Sequence, residues 1–502
     1  MNIFKKITNW FRGGGVVLNK KRLGTPLDHP KINIPPEEYE RIRDTYKFYS
    51  NQWDPIEYRN SDGDPKKRDY LTLNMIKEVS DLLSKVVFND KCKISISNKE
   101  ANDFIKQAFE DIDFYKQFQR YLEPMFALGG LAARPYIEDG RVKVSWCLAT
   151  TFYPLKSNTN HIDEGAIVTK SLAVEGDKVI YYSLFEIHER NGDDHSITNE
   201  LYRSEKREEI GEQVPLNKIY KGMEAYAVIE NPKRPVFAYL KPAGFNNINP
   251  SSPLGLGVCD NAKSTLKAIN DTYDSFNWEI QMGERKVIVP SHMTKDRIDK
   301  NGNLIPVFDS KTNVYLSLPT DDKGFAPQDV TSDIRTRAFV DSINFFFRTL
   351  EMQVKLSTGT FTFEKNSVKT ATEVVSEDSQ TYKTRNSHLT EIETFIKHLI
   401  ISILELAQRT NVKVKGKKAE RLYNGKIPEF DDIGIDFDDG VFQSKDAMLD
   451  NYTKAVLNDL MPHTIAIARL HDLPEKEAIK WFEMIQHEKR GMMPNPNEGT
   501  EL

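Results

Sequence analysis

Between residues 262 and 280 the apolar side chains Ala262, Leu266, Ile269, Tyr273, Phe276 and Ile280 follow one another at intervals of 4, 3, 4, 3 and 4. That beat places all six on one narrow stripe of a helix, the pattern of a helix that packs along another helix. It predicts a long helix over 259–284. A second stripe, Phe339, Ile343, Phe346, Leu350 and Val354, predicts its counterpart over 333–356, ending near Gly359. Residues 285–332 between them change character. Lys286–Val289 and Asn313–Leu318 read as short strands, with a turn at Asn301-Gly302-Asn303. The chain is thus built around two long helices flanking a small β insertion.

The rest of the chain is mixed. Lys77–Phe88 and Glu100–Phe126 read as amphipathic helices. Arg141–Trp146 and Val179–Ile187 alternate with period two and read as strands, with shorter ones near Ala225–Glu230 and Val236–Lys241. The proline- and glycine-bearing loop Asn246–Gly257 marks a boundary. Beyond Gly359, Thr370 and Glu373 fit a capping box that opens a third helix of some forty residues. Its first half, Ser376–His388, is polar except for Tyr382, which predicts a wet interface or channel rather than a core. Its second half carries a seam at Leu389, Ile392, Ile396, Leu399, Ile403 and Leu406. Residues 412–442 read as a strand pair around Asn424-Gly425. A helix over Lys445–Leu460 and a last amphipathic helix with Ala478, Ile479, Phe482 and Ile485 follow, before a polar tail from Gly491. At the other end Ile3, Phe4, Ile7, Trp10 and Phe11 sit at helical spacing before Gly13-Gly14-Gly15. They are read as a flexible arm or a contact with a neighbouring subunit rather than a membrane anchor.

No residue pattern points to catalysis. There is no GxxxxGK[ST] loop, no HExxH, no GxSxG and no GxGxxG. Cys92, Cys147 and Cys259 are far apart with no CxxC, which argues against zinc and dithiol chemistry and for a reducing compartment. The spacings around Asp436, Asp438, Asp439 and Gly440, and around Asn60, Asp62, Gly63 and Asp69, fail as calcium loops. The expectation is no enzyme, no cofactor and no metal. A formal net charge of −5 excludes tight phosphate neutralisation, since such proteins are basic. A slightly acidic surface facing DNA would let the polyanion slide.

The order of parts, together with the run Lys369-Thr370-Ala371-Thr372-Glu373-Val374 before Ser376-Glu377, Ser379 and Tyr382, and the run Ile435-Asp436-Phe437-Asp438-Asp439-Gly440-Val441-Phe442, resembles the portal proteins of tailed phages, of the type found in siphophages of Gram-positive bacteria. The resemblance spans roughly residues 35–490.

The resemblance implies an α+β portal fold. Residues 1–30 would be an N-terminal arm, and 31–258 a wing to which parts of 370–440 return. Residues 259–284 and 333–356 would be the stem helices, 285–332 the clip, 357–369 the tunnel loop, 441–490 the crown and 491–502 a tail. It implies a dodecameric ring at one capsid vertex of the virion, assembled in the host cytoplasm, through which double-stranded DNA is packaged and ejected. Its implied partners are other copies of itself, non-specifically contacted DNA, the terminase large subunit, a head-completion adaptor protein, and the major capsid and scaffolding proteins, with no membrane. The tunnel-loop residues facing DNA would be Thr358, Gly359, Thr360, Lys365, Asn366, Ser367 and Lys369. Contacts between subunits would fall to Leu266, Ile269, Tyr273, Phe276, Ile280, Phe339, Ile343, Phe346 and Leu350. Asp271, Asp274 and Glu279 would face either the channel or outward. Two other readings stand beside this one: a different structural head or tail component without a channel, and a DNA-processing hydrolase with a dispersed site.

Overall fold

A computed structural model describes residues 22–59, 63–158, 161–283, 287–290, 295–298, 304–307, 315–318, 327–362, 379–412, 420–437, 445–471, 473 and 475–491. The chain mixes helix and sheet, as its sequence pattern requires. Helix α1 (Pro36–Tyr49) starts on a proline, whose fixed φ suits a first helical turn. Helix α2 (Met75–Val87) buries Ile76, Val79, Leu83 and Val87 along one face. The single helix expected over 100–126 is two: α3 (Lys99–Asp111) and α4 (Phe114–Leu128). The break is Asp113, which sits at φ 50, a left-handed conformation that a short polar side chain tolerates and a helix interior does not. Helix α4 stops at Gly129, also left-handed at φ 85. A Cβ there would lie 2.6 Å from the carbonyl oxygen of Gly255, and one on Gly255 would lie 2.5 Å from that of Gly129. Two glycines therefore let the boundary loop press against the end of α4.

Two antiparallel sheets follow. In the larger, strands 22–23, 211–214, 194–204, 178–191, 161–175 and 152–158 lie side by side in that order, and 226–229 pairs with 194–204. The smaller joins 238–240, 131–138 and 141–148. Helix α5 (Lys263–Met282) leads to the β insertion. There strand 287–290 runs parallel to 315–318 and antiparallel to 328–329, while 295–298 and 304–307 form a hairpin. Helix α6 (Thr336–Gln353) returns from it.

Helix α7 (Ser379–Arg409) is the spine of the molecule. Phe395 and Ile396 are buried, and residues 399–407 are buried on every side, apolar but for Ser402 and Glu405, as a helix at the centre of a core must be. Rings from three elements meet on it: Phe118 lies 5.5 Å from Phe395 and 5.7 Å from Trp146. The polar groups carried into this core are held within the chain, although Glu405 keeps one carboxylate oxygen without a hydrogen bond. Ser402 donates to the Pro235 carbonyl at 3.0 Å, and Glu405 accepts the Lys233 N–H at 2.8 Å. The chain ends in α8 (Lys445–Leu457), α9 (His463–Leu470) and α10 (Glu475–Gly491).

The strand pair expected around Asn424-Gly425 does not form. Strand 433–436 pairs instead with 93–96, and 411–412 with 420–421. The Asn-Gly step is folded onto Tyr423, whose hydroxyl donates to the Lys426 carbonyl at 2.8 Å, while Gln408 holds the Gly425 carbonyl at 2.8 Å. A turn signal gives local shape, not the strand partner.

Candidate functional site

The helices α5 and α6 pack on each other, and the stripe read from the sequence is their shared seam. Leu266 and Ile269 on α5, with Ile343, Phe347 and Leu350 on α6, are buried in the main core. These positions are covered by their own chain before any neighbour is present, because two helices joined by a short insertion bury their stripes on one another first. Tyr273 and Phe346 are half-buried against that core. Phe276 and Phe339 meet at 5.1 Å near the insertion, and Ile280 stays exposed. The apolar surface that α6 leaves open is elsewhere: Phe345 is 65% exposed and Met352 72%. They are seven residues apart, hence on one face. The run Phe345-Phe346-Phe347 hid this, because any helical phase finds a phenylalanine in it.

The three carboxylates of α5 are engaged within the chain. Asp274 is buried and holds Arg68 through two bonds of 2.6 Å, with the Leu71 N–H at 3.1 Å. The Arg68 bonds keep its carboxyl below the usual range against the opposing effect of burial. Asp271 accepts from the Tyr70 hydroxyl at 2.6 Å. Glu279 takes the backbone N–H and the guanidinium of Arg335 at 2.5–3.1 Å, which lowers its carboxyl too.

Past Gln353, α6 closes in a Schellman turn. The Leu356 N–H reaches back to the Glu351 carbonyl at 2.8 Å, and the Lys355 N–H to that of Met352 at 3.3 Å. Lys355 takes the left-handed position, φ 58, where glycine is usual. The loop then begins under two restraints. The fully buried carboxylate of Glu351 accepts the Gly359 N–H at 2.8 Å and the Phe361 N–H at 2.7 Å. Ser357 and Thr381 are joined three times: the Ser357 N–H to Thr381 Oγ1 (2.9 Å), the Thr381 N–H to Ser357 Oγ (3.2 Å), and hydroxyl to hydroxyl (2.9 Å). Thr358, Gly359 and Thr360 are exposed at this base. Lys365, Asn366, Ser367 and Lys369, and the capping box at Thr370 and Glu373, lie outside the described residues.

Only one side of the polar first half of α7 is wet: among its described residues Gln380, Lys383, Asn386 and Ser387 are exposed. Thr381, Thr384, Arg385 and His388 are buried. Each finds a partner: Thr384 donates to the Lys355 carbonyl at 2.6 Å, Arg385 Nε to the Val86 carbonyl at 2.9 Å, and His388 Nδ1 accepts the Ala243 N–H at 3.1 Å. Burial, helped by nearby Lys355, pushes the His388 imidazole down to about 4, so it is neutral near pH 7. Glu351, Arg385 and His388 were missed as structural anchors. The signal for Glu351 was a carboxylate in phase with Phe347, Leu350 and Val354 on the buried side of α6.

Among the described residues no group of three metal-binding side chains converges, and no helix is long and apolar enough to cross a membrane. A family model described as phage portal protein, SPP1 Gp6-like, matches residues 28–491. No curated protein matches the chain.

Proposed function

We propose a residue-level division of labour for this chain, which belongs to the SPP1 Gp6-like family of phage portal proteins. It is a structural component of the virion capsid; a ring with a channel for DNA is general to the family. In the proposed division the ring is a dodecamer at one capsid vertex. The α5–α6 pair is its stem, and the insertion at 285–332 is the clip that docks the terminase large subunit and later the head-completion adaptor. Residues 357–369 form the tunnel loop, 31–258 with the return through α7 the wing, and 441–490 the crown.

One observation carries this reading. Helix α6 joins the β insertion at one end to the loop base at the other, and its own Glu351 holds that base through Gly359 and Phe361. A single rigid rod thus connects the part proposed to meet the motor with the part proposed to meet DNA. The exposed Phe345 and Met352, with Ile280, offer the apolar surface for the neighbouring stem. Tyr273, Phe276, Phe339 and Phe346 contribute their open edges, while Leu266, Ile269, Ile343 and Leu350 hold the pair rigid from inside. Thr358, Gly359 and Thr360, continuing to Lys365, Asn366, Ser367 and Lys369, present small, polar and cationic groups to passing phosphates. With Asp274 and Glu279 paired to arginines within the chain, repulsion of DNA falls to Asp271 and to the chain's overall negative charge.

The test is deletion of residues 358–367 in a phage-encoded copy. Rings of normal mass with heads that fail to fill or retain DNA are expected. Normally filled heads would overturn the loop assignment.

A further inference from the structure

The three C-terminal helices carry an apolar surface that the described residues of the chain do not cover. Helix α8 packs on α9, and α9 on α10. His463 meets the Phe482 ring at 5.3 Å, and His471 meets Trp481 at 5.2 Å. Yet among the described side chains of this unit only Ala468 and Ala478 are buried. Two alanines are no core. A unit of fewer than about 50 residues is already marginal when its apolar residues are inside. Here Leu449, Leu457 and Leu460 stand exposed along α8 and the turn after it, the last two at 76% and 80%, and Trp481, Met484 and Ile485 stand exposed on α10. The ion pair from this unit to the body, Arg469 to Asp436 at 2.5 Å, is exposed on both sides and contributes little.

The arrangement says what covers these faces. The two apolar sets differ in sequence, and they lie on the two outer helices of a row with α9 in the middle. A two-fold dimer needs one self-complementary patch; a closed ring of head-to-tail contacts needs two different patches, one for each neighbour. Each subunit of a portal ring has a copy of this chain on either side. We infer that the α8 face of one subunit packs on the α10 face of the next, so that residues 445–491 acquire their apolar core only when the ring closes. The inference rests on the ring reading above and adds the partner, the two faces and their polarity.

The experiment is hydrogen–deuterium exchange on the full chain, once as isolated subunit and once as ring, with native mass spectrometry to count subunits. Amides of α8–α10 are expected to exchange at least tenfold more slowly in the ring. The double variant Leu457→Asp, Leu460→Asp and, from the other side, Trp481→Ala, Met484→Asp are each expected to erase that difference while α1–α7 keep wild-type rates. Variants that lose ring formation altogether with α1–α7 unchanged support the same contact. Equal exchange in subunit and ring, or protection that survives both double variants, overturns the inference. A wild-type chain that forms no ring removes the ring reading and this inference together, whereas rings with unprotected C-terminal helices remove this inference alone.

Discussion

The carboxylate of Glu351 accepts the backbone N–H of Gly359, eight residues further along the chain, at 2.8 Å. The helix therefore grips the loop that follows it by the main chain, without constraining which side chains the loop displays. Glu351→Ala strands two N–H groups in a buried site, at a cost of about 3 kcal/mol. Urea unfolding should show that loss, and Glu351→Gln, which keeps one acceptor oxygen, should lose distinctly less. Equal stability of the alanine variant and the parent would show that the two bonds are dispensable.

Lys355 occupies a left-handed position at φ 58 without glycine's freedom. Lys355→Gly should raise subunit stability by about 0.5–1 kcal/mol, seen as a higher urea midpoint. A lower midpoint would mean that the lysine side chain contributes more than its backbone strain costs.

Arg68 and Asp274 join the 65–68 strand to α5 through two 2.6 Å bonds. Arg68→Ala leaves a buried carboxylate unpaired and should cost about 3 kcal/mol. Chemical denaturation of the single variant, compared with Arg68→Ala, Asp274→Asn, measures this. The double variant should recover part of the loss.

His388 and His398 are both held to about 4, mainly by burial, His398 also by the adjacent Arg234. A free histidine titrates near 6.5, so between about 6.5 and 4 the unfolded chain binds more protons than the folded one. Stability from these residues is complete above pH 6.5, falls as pH drops through that window, and is level below 4. The loss should be about 2 kcal/mol per histidine by pH 5. Urea midpoints measured from pH 7.5 to 4.5 should slope accordingly, and His388→Gln should flatten the slope.

Phe345→Asp with Met352→Asp should abolish rings while leaving the subunit's urea midpoint unchanged, because both side chains are exposed in the single chain. Leu266→Asp should instead unfold the stem, since Leu266 is buried in it. Sedimentation of the two variants separates these outcomes. Intact rings from the Phe345 and Met352 variant would place the contact elsewhere.

What the sequence made legible was whatever is periodic. The seams of α5 and α6 showed because 4-3 spacing has one geometric meaning, and strands such as 141–148 showed because alternation does too. Interactions set by distant partners did not show. Nothing near Ile433 announces that it will pair with Ile96, and nothing in the polar run around Arg385 announces that Val86 will offer it a carbonyl. Burial of polar residues is decided by hydrogen-bond supply, which hydrophobic patterning ignores. At the candidate site, the place of the loop after α6 was readable from Gly359. Its fastening was only half readable: Glu351 falls in phase with the buried side of α6, but the N–H groups it grips and the meeting of Ser357 with Thr381 carry no sequence signature.

The pairing of strand 93–96 with 433–436 bears on how the chain is made. The first strand leaves the ribosome roughly 340 residues ahead of its partner, which at bacterial elongation rates of about 5–20 residues per second is a wait of tens of seconds. Helix α7, the spine for everything before it, emerges almost as late. The nascent chain must therefore hold most of its future core unprotected until synthesis is nearly complete, so truncated products should clump or be degraded, and a shortage of chaperones in the infected cell should lower the yield of portal subunits before it lowers that of proteins whose contacts are local.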